Sequence, residues 1–93
     1  MIICLCSLQL YLGWSNSLKD KRREIKSLMK KAQSKFNISI AETDDQDNWR
    51  TATIGFAAVS SERRHADSII NEVVKFIEQN TEAEIISCKT EIL

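Results

Sequence analysis

Four short β-like runs interleaved with two amphipathic helical runs predict an α+β domain of order βαββαβ. Three observations carry that reading. The even positions from Ile2 to Trp14 are apolar without one polar break, two later segments repeat apolar residues at helical spacing, and the chain has no Pro and only two Gly. At 93 residues the chain is one domain, 1–93, with no linker, repeat or low-complexity tract.

The first strand runs from Ile2 to Trp14. Ile2, Cys4, Cys6, Leu8, Leu10, Leu12 and Trp14 share one face; Ser7, Gln9 and Tyr11 share the other. Gly13 then loosens the chain, and Asn16 or Ser17 offers a helix N-cap, with Asp20 three residues after Ser17. Leu18, Ile25, Leu28, Met29, Ala32 and Phe36 fall within an arc of about 100° on a helical wheel. Asn37 is expected to stop this helix in the left-handed conformation. Asn37–Thr43 reads as the second strand with Ile38 and Ile40 inward, Asp44–Asn48 as a turn, and Trp49–Ser60 as the third strand. Ser60 or Ser61 starts a second helix, along which Ala66, Ile69, Ile70, Val73, Val74 and Ile77 recur at helical spacing until Asn80. Ala83–Ile92 supplies the last strand.

This order matches the ferredoxin-like split βαβ arrangement, a four-stranded antiparallel sheet of spatial order 4-1-3-2 with two helices on one face. The other face is left for water or a partner.

Composition narrows the function classes. Hydrophobic residues make up 43% and charged residues 28%, which excludes a disordered tail, a collagen-like fibre and a long coiled coil. With 13 basic and 13 acidic residues the net charge is zero, so only a local patch can serve nucleic acid. The apolar run Met1–Leu12 is too short to span a bilayer and has no basic leader, so no membrane role is expected. Three cysteines, an odd number, point to reduced thiols and a cytoplasmic location.

Several stretches resemble the YlxP-like family of small bacterial proteins of unknown function. They are Ser17-Leu18-Lys19-Asp20-Lys21-Arg22-Arg23, Phe36-Asn37-Ile38-Ser39-Ile40-Ala41-Glu42, Asp47-Asn48-Trp49, and Ala52-Thr53-Ile54-Gly55-Phe56-Ala57-Ala58-Val59-Ser60. The likeness spans essentially the whole chain and implies a ferredoxin-like fold. Members' genes often lie among those of translation factors, near ribosome-binding factor A, so the resemblance implies a ribosome or RNA connection by association. It implies no catalytic residues. Members often carry His before the Ser-Leu-Lys run, where this chain has Asn16.

The neutral total hides a lopsided distribution. Lys19, Lys21, Arg22, Arg23, Lys26, Lys30, Lys31 and Lys35 lie on the first helix against only Asp20 and Glu24, leaving it at +6. Lys19, Arg22, Arg23, Lys26 and Lys30 form one stripe roughly 100° wide, which the two acids miss. Cations at a helix N-terminus oppose the macrodipole by roughly 0.3–1 kcal/mol each, and a local choice against stability often marks function. The stripe reads either as a solvated face or as a site for phosphate or an acidic partner. A competing expectation is that Glu42, Asp44, Asp45 and Asp47 neutralise Lys19, Lys21 and Arg22 across the gap.

Trp14 and Trp49 are expected at the same end of the sheet, either as core caps or as a stacking platform for single-stranded RNA. Lys31 and Lys35 are expected to approach Arg63, Arg64 and His65 and prolong the basic track. On the open sheet face Ile3, Leu5, Ala57 and Val59 form an apolar patch, a candidate dimer face. The basic-Gly-aromatic signature of an RNA-recognition motif is missing from that face. Cys4, Cys6 and Cys88 with a distant His65 make a weak zinc set, and no cofactor or metal is expected. The leading expectation is a non-enzymatic module that binds RNA or a ribosomal subunit through Lys19, Arg22, Arg23, Lys26 and Lys30. The runner-up is a homodimeric protein-interaction module with no nucleic-acid role, and a small enzyme using the acidic turn comes third.

Overall fold

Strict alternation along the first strand makes it two-faced. In the computed structural model, which describes residues 1–93, Cys4, Cys6, Leu8 and Leu10 are buried while the residues between them are only partly covered. The elements are β1 (Ile2–Tyr11), α1 (Leu18–Lys35), β2 (Ser39–Asp44), β3 (Thr51–Ser60), α2 (Arg63–Gln79) and β4 (Glu84–Ile92). All strand pairs are antiparallel and the sheet order is β2-β3-β1-β4, the ferredoxin-like topology. Both helices pack on the even-numbered face of β1. Leu8, Leu10 and Leu12 meet Ile25 and Leu28 of α1, Ile54 of β3 and Val73 and Ile77 of α2 in one fully buried core. Each such side chain contributes roughly 1.5–3 kcal/mol relative to exposure.

The start of α1 follows its capping chemistry. Ser17 is the N-cap, and its hydroxyl accepts the Asp20 N–H at 3.1 Å, while an Asp20 carboxylate oxygen accepts the Asn16 N–H at 3.3 Å.

Several boundaries differ from the sequence expectation: β2 spans Ser39–Asp44 rather than Asn37–Thr43 and β4 starts at Glu84 rather than Ala83, and four others shift for an identifiable local reason. β1 stops at Tyr11 rather than Trp14, because the Ser15 N–H donates to the Leu12 carbonyl at 3.1 Å and closes a turn. α1 ends at Phe36 in extended backbone (φ −122°, ψ 148°), so Asn37 is not needed as a left-handed stop. The one non-glycine residue with positive φ is Asp45 (φ 60°), in the β2–β3 turn that the Asn48 N–H closes onto the Asp45 carbonyl at 3.0 Å. β3 begins at Thr51 rather than Trp49, since Asn48 Oδ1 draws in the N–H groups of both Arg50 and Thr51 at 3.0 Å. The N-cap of α2 is Glu62, not Ser60 or Ser61, and no side chain caps it. The Ser60 hydroxyl is instead engaged with the Glu62 backbone, accepting its N–H at 3.1 Å and donating to its carbonyl at 2.9 Å.

Candidate nucleic-acid interface

One cation of α1 is not on the surface at all. Lys21 lies four residues before Ile25 and seven before Leu28, inside the apolar arc, and is 0% exposed. Its ammonium donates to the carbonyls of Asp45, Gln46 and Thr51 at 2.7, 3.2 and 3.2 Å. Glu42 Oε2 sits 2.9 Å away. The three ammonium protons are taken by the three carbonyls, so the buried Glu42 oxygen is held by charge and not by an aligned hydrogen bond. Lys21 thereby ties the β2–β3 turn to the first turn of α1.

The turn acids are largely engaged away from the stripe. Glu42 faces Lys21. Asp44 Oδ1 accepts the Asp45 N–H at 2.8 Å. Asp45 Oδ2 accepts from the Thr53 hydroxyl at 2.7 Å and from Gln9 Nε2 at 3.3 Å. Asp47 alone reaches the stripe, 4.0 Å from the Arg22 guanidinium, with both side chains well exposed. Such a pair contributes about 0–1 kcal/mol. Neutralisation across the gap therefore holds for Lys21, is marginal for Arg22, and does not extend to Lys19.

The acids of α1 itself are also turned away: Asp20 supports the cap, and Glu24 accepts the Thr81 hydroxyl at 2.8 Å beyond α2. Lys19, Arg22, Arg23, Lys26 and Lys30 are all exposed, and only Arg22 has an ion-pair partner. A run of cations on consecutive turns is thus left with its charge facing water.

Trp14 and Trp49 are not core caps. They are 44% and 48% exposed, in the turns that follow β1 and precede β3. The two turns are stitched together. Leu12 donates its N–H to the Arg50 carbonyl at 2.7 Å, and Arg50 Nε donates to the Ser15 carbonyl at 3.0 Å. The same guanidinium lies 5.4 Å from the Trp49 ring centroid, a cation–π contact.

Lys31 and Lys35 do not approach Arg63, Arg64 and His65. The helices run antiparallel, and the end of α1 lies beside the C-terminal half of α2. The Lys35 ammonium is 5.1 Å from the Phe76 ring centroid, and the Phe36 and Phe76 rings meet edge to face at 5.5 Å. Between the helices runs an open cleft of about 480 Å³ lined by Ser27, Lys30, Lys31, Ser34, Phe76 and Asn80. The wheel position of Phe76, at the margin of the α2 apolar arc, was the available signal for it.

On the open sheet face Ile3 stands opposite Val59 and Leu5 opposite Ala57. Val59 is 63% exposed and the other three are partly covered. Cys88 stands opposite Leu8, and the Cys6 and Cys88 sulfurs are 4.0 Å apart across the diagonal. Burial, and next the neighbouring Cys88, push the Cys6 thiol up from 9.0 to about 12.

Residues 3–90 match the family model described as protein of unknown function (DUF503). The chain belongs to the DUF503 family. A relative of this DUF503 protein is uncharacterized protein YlxP of Bacillus subtilis (strain 168), 39% identical over 77 residues, covering 83% of this chain and 84% of that one. Among solved structures it resembles a de novo designed protein with ferredoxin fold, LFR1 1, at TM-score 0.59 and 14% identity, covering 99% of this chain and 85% of the design. A second design, Foldit4, matches at TM-score 0.51 and 8% identity, with 99% and 94% covered. At such identities the likeness concerns the fold alone. No helix of the DUF503 chain is long and apolar enough to cross a membrane.

Proposed function

We propose that this protein is a non-enzymatic, cytoplasmic RNA-binding module that grips single-stranded or ribosomal RNA through the exposed face of α1. One observation carries the reading: Lys19, Arg22, Arg23, Lys26 and Lys30 are exposed along α1 while nearly every nearby carboxylate is engaged elsewhere. Unpaired cations spaced along a rigid helix suit a phosphate backbone, which positions a strand without reading its sequence. Trp14 and Trp49, half-exposed in the turns beside the helix entrance, offer aromatic surface for unstacked bases.

The test is retention of tagged protein on ribosomal subunits and on short single-stranded RNA at low and moderate salt. Wild type is expected to be retained at low salt, and the double reversal Arg23→Glu, Lys26→Glu to be released while its circular dichroism is unchanged. Equal retention of both would place the contact elsewhere.

A second reading rests on a different surface. The neighbouring cross-strand pairs Ile3–Val59 and Leu5–Ala57 favour a homodimer through the open sheet face. This reading needs no nucleic acid, and it is compatible with the first because α1 lies on the opposite side of the sheet.

A further inference from the structure

We propose that the cleft between α1 and α2 is a nucleotide subsite, in which one residue of a single strand places its phosphate at Lys30 and Lys31 and its base against Phe76. The inference rests on the RNA reading and extends it, because Lys30 belongs both to the exposed stripe and to the cleft. Lys30 thus joins a strand laid on Arg22, Arg23 and Lys26 to the cleft, while Glu24, one turn before Ser27, is held by the Thr81 hydroxyl at 2.8 Å.

Three features of the cleft suit a nucleotide. Its charge is unbalanced, since Lys30 and Lys31 have no carboxylate within ion-pair distance. The Ser27 hydroxyl faces the same space and makes no hydrogen bond within the protein, whereas the Ser34 hydroxyl donates to the Lys30 carbonyl at 3.0 Å and keeps its lone pairs. Phe76 adds an aromatic wall braced by Phe36 at 5.5 Å, and base–aromatic stacking tolerates any base. A volume of about 480 Å³ is in the range of small-molecule pockets.

Asn80 gives the subsite a bias. Its Nδ2 donates to the Phe76 carbonyl at 2.8 Å, which fixes the amide and leaves Oδ1 as a free acceptor at the rim. An acceptor there takes the exocyclic amine of adenine, whereas uracil offers only its ring N3–H, and the larger purine also stacks more strongly on Phe76.

The experiment uses the full chain with adenosine and uridine monophosphates, inorganic phosphate, and hexamers of adenylate and uridylate at low salt. Amide and aromatic NMR resonances of Lys30, Lys31, Phe76 and Asn80 are expected to shift with adenosine monophosphate, more than with uridine monophosphate or phosphate alone. Phe76→Leu is expected to lower affinity for the adenylate hexamer by roughly five- to a hundredfold, the range of one lost stacking contact. Lys31→Gln, an exposed change that the fold does not depend on, lowers it severalfold. If Arg23→Glu with Lys26→Glu abolishes hexamer binding while Lys31→Gln and Phe76→Leu leave it unchanged, the cleft proposal falls and the helix-face reading stands. If the hexamers do not bind wild type, the RNA reading falls, and unshifted cleft resonances with adenosine monophosphate then overturn the subsite as well. Equal shifts with phosphate and with the mononucleotides also overturn it, since the base would contribute nothing.

Discussion

Lys21 Nζ and Glu42 Oε2 are 2.9 Å apart in the protein interior, one from the first turns of α1 and the other from β2. Neither is replaceable alone. Losing the ammonium leaves a buried carboxylate beside three carbonyls with no donor; losing the carboxylate leaves a cation compensated only by carbonyl dipoles.

Lys21→Ala is accordingly expected to destabilise the domain by about 3–5 kcal/mol, the usual cost of stripping one partner from a buried pair. For a domain whose total is of order 5–15 kcal/mol this approaches global unfolding. Glu42→Gln, which keeps an acceptor for the ammonium, is expected to cost less. Urea denaturation of both variants checks the ranking, and a loss below about 1 kcal/mol for Lys21→Ala contradicts the geometry.

How far the sequence carried this reading depends on what each residue's neighbours are. β1, α1 and α2 were legible because their apolar periodicity is local and strong, and the strand order was expected because this element order matches the ferredoxin-like arrangement. Lys21 was assigned to the basic group by residue type, although its wheel position beside Ile25 and Leu28 placed it inward. Glu42 was among the acids expected to neutralise it, but the carbonyls of Asp45, Gln46 and Thr51 that also hold its ammonium are announced by no periodicity within α1. Trp14 and Trp49 extended the strand patterns by hydrophobicity, but the turns that end those strands are set by Leu12, Ser15 and Asn48. The approach of Lys35 to Phe76 rather than Arg63 depends on how far the helices slide past each other, which only packing decides.

RNA binding through the stripe has a quantitative signature. Five cations on a single strand give a log–log salt slope of about −3.5, at roughly 0.7 per phosphate contact. Changing Arg23 and Lys26 together to Gln should flatten it by about 1.4 with the fold intact. Filter binding between 50 and 300 mM salt, about the range where such contacts weaken steeply, measures it. A slope near zero with affinity retained would remove the phosphate backbone from the account.

Cys6 makes a pH prediction with a definite sign. Its thiol titrates at about 12 when folded, against 9.0 ordinarily, so the folded chain holds this proton where the unfolded chain loses it. Its share of stability is complete below pH 9.0 and is lost as pH climbs toward about 12. Lysines also titrate in that window, so the readout is the difference between wild type and Cys6→Ala in urea melts at successive pH values. The wild type should lose stability with pH more steeply. A thiol-specific reagent at neutral pH should modify exposed Cys88 well before Cys4 and Cys6. Equal rates would contradict the burial.

The open sheet face makes the last prediction. β1 is central, between β3 and β4, so Ile3 and Leu5 cannot be hidden by moving an edge strand. The helices cover the other face, and Val59, opposite Ile3, is 63% exposed. Burying a fully exposed large aliphatic recovers roughly 1.5–3 kcal/mol, and the partly covered Ile3 and Leu5 a fraction of that each. A two-fold pairing of the patch uses the same residues twice and closes the assembly, leaving both α1 helices outermost for a shared strand. Ala57 and Ala41, small residues beside Leu5 and Gly55, let two sheets approach to the ~10 Å spacing of packed faces. In such a dimer Leu5→Lys sets two unpaired ammonium groups within one apolar interface, enough to dissociate it. Sedimentation at tens of micromolar is expected to show a wild-type dimer and a Leu5→Lys monomer with the same circular dichroism. A wild-type monomer at that concentration ends the dimer reading, and a dimer indifferent to Leu5→Lys moves the contact to the β2 or β4 edge.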